Sequence, residues 1–572
     1  MTKKIPAHLQ QFISKQYYQQ YTPINHAVWR FVMRQNHYYL KNIAHSAYVN
    51  GLKNSGINIE SIPKVEEMNE SLAKVGWGAV TIDGLIPGAA FYGFLQNGLL
   101  PIATEIRKIE NIAYTPAPDI IHEAAGHAPI LLDKSYREFV RKIGEMGAKA
   151  LSSKEKLDVF KAVRNLTIVA EDPQSTPEQV KEAENLVAEA RKKVKGLTEA
   201  DKVSRLFWWT VEYGLIGELD NPKIYGAGLL SSVGESQSCL AREVRKIPFS
   251  VEECINTPYD VTKPQPQLFV CKNFEELVAK IDDFAGTMAF RKGGTESLEN
   301  ALRTESTATV VFCSGLQVTG IVGEISKDEA GEAIYFRTKG PTALSYDDNQ
   351  LAGHGTETHR KGFGTPIGRL EGRQALEDCT EKQLHDLGIT ENRKTSLNFE
   401  SGIKVDGIVK KLHLVNGSPI LISFQDCTVS YKDQILFQPD WGTYDMAVGA
   451  SITSVFAGAA DPYSYFDMQP VPEIEEQGAR ENESELENLY SAVRTIREQN
   501  EWNPAEVGKI AATLDEKYPS DWLLRLEILE LYQQFEENNP NISGLVKALE
   551  RPVWSPSIKQ LIQRGLELIE NK

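Results

Sequence analysis

Two imidazoles and a carboxylate fall within six consecutive positions, His122, Glu123 and His127, in the run Pro118-Asp119-Ile120-Ile121-His122-Glu123-Ala124-Ala125-Gly126-His127-Ala128-Pro129. Neutral imidazole is the commonest protein ligand of a catalytic transition metal, and two of them with an open coordination face suit a metal that must also bind substrate or dioxygen. The segment therefore reads as half of a metal site. A zinc peptidase would place its histidines at i and i+4 on one helical face. Here the spacing is one residue longer, and on a regular helix an i, i+5 pair lies about 140° apart. Both rings reach one ion only if the helix ends or distorts between them, and Gly126 and Pro129 are the expected breakers.

A third ligand should be a carboxylate, and Glu212 is the best candidate. It stands alone among apolar and aromatic neighbours in Leu206-Phe207-Trp208-Trp209-Thr210-Val211-Glu212-Tyr213. Unpaired glutamate is rarely buried, because removing its charge from water is costly, so a cation partner is expected. Two histidines and one carboxylate form the facial triad of non-haem Fe(II) oxygenases.

Four motifs in order carry a resemblance to a known family. Tyr114-Thr115-Pro116-Ala117-Pro118-Asp119 leads into the histidine segment, and Trp209-Thr210-Val211-Glu212-Tyr213-Gly214-Leu215 follows. Then come Tyr225-Gly226-Ala227-Gly228-Leu229-Leu230-Ser231-Ser232-Val233-Gly234-Glu235 and Pro266-Gln267-Leu268-Phe269-Val270. Across about residues 75–295 the chain resembles the pterin-dependent aromatic amino acid hydroxylases. The resemblance implies Fe(II) and a tetrahydropterin as cofactors, dioxygen as co-substrate, and His122, His127 and Glu212 as the iron ligands. It implies that Phe91 stacks on the pterin, that Gly84 and Leu85 contact it through the main chain, and that Glu123 faces it. The hydroxyl side chains of the animal members' pterin loop are replaced here by Ile86, Pro87 and Gly88. For the amino acid it implies a clamp of Arg107, Thr115, Asp119 and Ser231, with Asp119 ordering Arg107 and Trp208 walling the aromatic pocket. A planar guanidinium suits a carboxylate better than an ammonium does. Phenylalanine to tyrosine is the leading reaction, with tryptophan or tyrosine hydroxylation as the runner-up. An inactive hydroxylase-like binding or scaffold protein is the alternative of another class.

The elements that must position these groups follow from pattern. With 572 residues, 41% hydrophobic and 24% charged, the chain can bury more than one core. The expected class is α+β: a mainly α catalytic domain, then a β-rich domain and a helical tail. Expected boundaries are a helical segment at 1–74, the catalytic domain at 75–299 with a helical insert at 151–200, a β-rich domain at 300–472, and an acidic linker with helical tail at 473–572. In the insert, Thr176-Pro177-Glu178-Gln179 supplies a cap, a first-turn proline and a capping-box glutamine, so a helix starts there and a hairpin forms around 171–175. Alternating stretches at 308–312 and 403–409 predict strands, and Asn416-Gly417 predicts a hairpin turn. His354 and His359 repeat the five-residue spacing, but Gly353, Gly355 and Thr356 put them in a loop, and loop residues is the preferred reading over a second metal site.

Six cysteines without CxxC pairing suit reduced thiols and a cytoplasmic location. No apolar run is long enough to span a membrane. A net charge of −16 argues against nucleic acid. The expected partner is the aromatic amino acid itself, with a homo-oligomer possible, and there is no room for the amino-terminal regulatory domain of the animal members.

Overall fold

The computed structural model describes the chain apart from residues 1–2, 85, 114–117, 172–175, 262, 470–479, 481–483, 552–553 and 571–572. It divides into two compact units. The first comprises 1–145, 204–281 and 471–572; the second comprises 146–203 and 282–470. The tail thus belongs with the histidine-bearing segments, and the 151–200 segment belongs with the β-rich part.

In the first unit the long helix Pro23–Ile43 starts where local chemistry dictates. Thr22 and Asn25 form a reciprocal capping box and Pro23 occupies the first turn. Its inner face buries Ala27, Trp29, Phe31 and Val32 together with Arg30. Arg30 is 2% exposed, and it is tolerated because Glu527, on the tail helix Leu523–Phe535, takes its Nε at 2.6 Å and its Nη2 at 2.9 Å. Arg34 pairs with Glu530 and Glu60, Tyr39 donates to Glu567 at 3.1 Å, and Arg564 donates to the Val233 carbonyl at 2.7 Å. These contacts tie the tail to the unit's first helix and to the 231–235 turn.

Two small sheets complete this unit. Gly78–Ile82 runs parallel to Leu99–Ala103, and the crossover between them contains the helix Gly88–Gln96. The other sheet orders its strands Asn221–Ile224, Leu215–Glu218, Gln267–Cys271 and Arg245–Pro248. Leu215–Glu218 leaves the Glu212 turn directly, so the sheet fixes where that turn ends.

The second unit holds two largely antiparallel sheets. One orders Asn349–Gln350, Ala333–Tyr346, Leu316–Lys327, Thr307–Phe312 and Ile452–Ala457, with Gly364–Pro366 beside Ala333–Tyr346. The other orders Lys394–Asn398, Ile403–Val415, Ser418–Tyr431 and Gln434–Phe437, with Tyr444–Ala447 beside Ser418–Tyr431. Both expected strands form, and Asn416 and Gly417 turn the hairpin with φ of 51° and 84°. Phe312, Val318, Phe336 and Leu344 centre one core; Phe399, Val405, Ile422 and Phe424 centre the other. The helices Lys154–Glu171 and Pro177–Lys193 also belong to this unit, and the predicted capping box between Thr176 and Gln179 is present. Most of their expected linker lies outside the described residues, as does most of the acidic stretch before the helix Glu485–Gln499. Among the described residues no helix is long and apolar enough to cross a membrane.

Candidate metal and substrate site

His122 and His127 do not meet across a helix break. Ile121–His127 is a π-helical turn, in which the Ala128 N–H reaches the Glu123 carbonyl five residues back. That wider winding matches the spacing of the two histidines and brings both rings to one side. Gly126 serves another purpose than breaking the helix: a Cβ there would stand 2.7 Å from the Ala227 carbonyl oxygen. Glu212 sits at the end of a second π-helical turn, Trp208–Glu212, where the Tyr213 N–H bonds the Trp208 carbonyl at 2.9 Å. Gly226 allows this turn to pack, since a Cβ would meet the Glu212 carbonyl oxygen at 2.4 Å.

The two turns converge on one point. His122 Nε2 lies 3.2 Å from His127 Nε2, and Glu212 places one oxygen 3.3 Å from His122 Nε2 and the other 3.2 Å from His127 Nε2. Glu123 is the nearer carboxylate in sequence and the farther in space, with Oε2 3.9 Å from His127 Nε2. On distance, Glu212 is the better third ligand. Burial alone would raise the Glu212 carboxyl, but the two imidazoles override it and hold it well below the usual carboxylate range. Burial pushes Glu123 the other way, up to about 8, helped by the charges of Glu212 and Asp119 and opposed by His127. Its Oε2 is buried without a hydrogen-bond partner among the described residues.

Ser231 and Asp119 orient the ring of His122 and its backbone. Ser231 Oγ is 3.0 Å from His122 Nδ1, and the Asp119 carboxylate accepts the His122 backbone N–H at 3.0 Å. Asp119 also takes Arg107 through two parallel bonds of 2.8 Å and its backbone N–H at 2.9 Å. Arg107 is 5% exposed, so it is not an ordinary solvated basic residue. Burial works against the Asp119 charge, yet Arg107 holds its pKa below the usual value.

Phe91 is half-buried on Gly88–Gln96, its ring edge-on to Phe207 at 5.6 Å, immediately before the Glu212 turn. The Gly84 N–H is already bonded to Glu105 Oε1 at 3.0 Å. Trp208 is sandwiched between Tyr259 at 4.4 Å and Tyr213 at 4.6 Å, and its buried indole N–H has no hydrogen-bond partner among the described residues. Tyr259 had no local signal in the sequence. Thr115 and Leu85 lie outside the described residues.

The model for the biopterin-dependent aromatic amino acid hydroxylases matches residues 11–168 and 195–293. A phenylalanine-4-hydroxylase from Pseudomonas aeruginosa is 30% identical over 258 residues, which span 45% of this chain and 81% of that protein. The chain belongs to the biopterin-dependent aromatic amino acid hydroxylases. This hydroxylase is also 27% identical to a phenylalanine-4-hydroxylase from Mesorhizobium japonicum, over 48% of the chain and 84% of the relative. A Chromobacterium violaceum phenylalanine hydroxylase crystallised with iron(III) and 7,8-dihydrobiopterin aligns at 25% identity and a TM-score of 0.38, over 50% of this chain and 87% of that one. As a family member this hydroxylase is a pterin-dependent aromatic amino acid monooxygenase. The unmatched residues 169–194 fall within the helical pair of the second unit.

Proposed function

We propose that this hydroxylase converts phenylalanine to tyrosine, with Fe(II) held by His122, His127 and Glu212. The observation that carries the reading is the convergence of two π-helical turns on a cluster of three donors 3.2 to 3.3 Å apart. Two ring nitrogens and two carboxylate oxygens gathered at that spacing suit the ligands of one cation, with bonds of about 2.0 to 2.2 Å. The relatives' names supply the substrate class.

Iron bound there, together with a reduced pterin, would activate dioxygen so that one oxygen atom enters the ring and the other leaves on the pterin. The chain's own groups bind and orient. Ser231 Oγ donates to the Ala227 carbonyl at 2.8 Å, so it accepts the Nδ1 proton of His122 and leaves Nε2 with its lone pair turned to the cluster. Glu123, whose buried Oε2 has no hydrogen-bond partner among the described residues, offers a hydrogen-bonding group toward a pterin. Arg107, aligned by Asp119, receives the amino acid's carboxylate, and Phe91 gives the pterin a flat apolar face. Tyr213 and Tyr259 hold Trp208 rigid at the wall of the ring pocket.

The test is turnover of the full chain with ferrous iron, a tetrahydropterin and each aromatic amino acid in turn, with products separated chromatographically. Tyrosine from phenylalanine is expected as the fastest product. Faster hydroxylation of tryptophan or tyrosine would replace the substrate assignment, and turnover supported by 2-oxoglutarate in place of pterin would overturn the chemistry.

A further inference from the structure

The second unit gathers another set of metal-ligating side chains. His354 and His359 lie in the loop after strand Asn349–Gln350, and that loop is laced to Ala333–Tyr346. The N–H groups of Leu344 and Thr342 donate to the His354 and His359 carbonyls at 2.9 and 3.1 Å. The other groups come from the second sheet. His413 is on Ile403–Val415, and Ser423 of Ser418–Tyr431 stands directly opposite Asp445 of Tyr444–Ala447.

These elements bring the donors together. His354 Nδ1 is 3.3 Å from His359 Nε2, and each nitrogen is 3.8 Å from Asp445 Oδ2. The three residues are 7%, 8% and 8% exposed. Ser423 Oγ donates to Asp445 Oδ1 and lies 3.4 Å from His413 Nε2, while the His413 ring meets His354 edge-on with centroids 4.8 Å apart.

The plain alternative is a buried polar cluster bonded within itself. Its geometry is poor for that, because 3.8 Å is beyond hydrogen-bond reach. The same spacing is close to what ligands of one ion need: donors about 2.0 to 2.1 Å from a tetrahedral centre stand about 3.3 to 3.4 Å apart, so the two imidazoles are already at that separation and Asp445 Oδ2 would close by about 0.4 Å.

We propose that His354 Nδ1, His359 Nε2 and Asp445 Oδ2 form a second metal site for a zinc-like divalent ion. Ser423 holds Asp445 in place, and His413 lies alongside, its ring 4.8 Å from that of His354. Two imidazole nitrogens and a carboxylate oxygen are a donor set that zinc takes. Three protein ligands with a fourth position free is the arrangement of a site that activates water or takes an incoming ligand. The proposal is independent of the iron reading in the first unit.

The full chain, stripped by a chelator and reloaded with zinc(II) alone, should retain one ion more after desalting than His354→Gln/His359→Gln does, measured by elemental mass spectrometry, and Ser423→Ala should bind that ion roughly 10- to 100-fold more weakly. Equal zinc in wild type and the double variant overturns the proposal. A reading that survives a misfolded variant uses cobalt(II) on the chain carrying His122→Gln, whose second unit is intact. The intense visible absorption of tetrahedral cobalt is expected, and its absence overturns the site.

Discussion

Ser231 Oγ stands 3.0 Å from His122 Nδ1 while giving its own proton to the Ala227 carbonyl, so it can only accept from the ring. The resemblance to the hydroxylase family had placed Ser231 in the amino-acid clamp; the geometry adds a part in setting the His122 tautomer. Removing such a partner of a metal-ligating histidine costs roughly 10- to 100-fold in metal affinity. Ser231→Ala should therefore weaken iron binding by that factor, measured by titrating ferrous iron into the stripped protein. An unchanged iron affinity with a raised Michaelis constant for the amino acid would return Ser231 to the clamp alone.

Loss of a ligand should be harsher. His122→Ala, His127→Ala and Glu212→Ala should each lose hydroxylation and most bound iron, because the facial geometry needs all three donors. Wild-type turnover in Glu212→Ala would remove Glu212 from the ligand set and move attention to Glu123, the other carboxylate within reach of His127.

Arg107 separates substrate binding from iron binding. Arg107→Lys keeps the charge and loses the two-point geometry. A hydrogen bond to a charged group is worth about 1.5 to 3 kcal/mol, so the Michaelis constant for the amino acid should rise roughly 10- to 100-fold while pterin affinity stays nearly unchanged. Steady-state kinetics with each substrate varied in turn would show whether it does.

The tail should prove structural for the first unit. Glu527 is 4% exposed against the buried Arg30, and removing one partner of a buried pair costs about 3 to 5 kcal/mol. Glu527→Ala in the full chain should lower the denaturant midpoint accordingly, and a chain ended at residue 300 should be insoluble. A soluble, cooperatively folding truncation would show that the Arg30 face does not depend on the tail.

Acid should weaken the same unit through His26. This ring is 1% exposed, accepts the Ile62 N–H at Nδ1, and is held down to about 3, first by burial and then by Arg494 and Arg30. A depressed folded pKa means that the unfolded chain binds the proton first. The stability is present above about 6.5 and is lost as pH falls toward 3, at a limiting slope of roughly 1.4 kcal/mol per pH unit for one proton. Denaturant unfolding at several pH values should give a shallower acid limb for His26→Gln than for wild type. Parallel limbs would remove His26 as the cause.

The chemistry was more legible than the architecture. His122, His127 and Glu212 announce themselves by residue type in apolar surroundings, and Asn416-Gly417 by needing positive φ twice. The π-helical winding was not legible, because a template of 3.6 residues per turn makes an i, i+5 pair look divergent and suggests a break instead. Asp445 gave no hint of joining His354 and His359, since that meeting depends on which strand lies opposite Ser423. Local periodicity likewise marks 485–570 as helical but cannot say that Glu527 will answer Arg30, 497 residues earlier.

The division of the first unit into three stretches of chain has a consequence for its birth on the ribosome. Residues 282–470 must be synthesised between its second and third pieces. At about 5 to 20 residues per second, the 497 residues between Arg30 and Glu527 leave roughly 25 to 100 seconds in which the Arg30 face has emerged and Glu527 has not. During this interval the nascent first unit exposes a surface that chaperones and aggregation both recognise, while the β-rich piece of the second unit, residues 282–470, can begin to pair its strands.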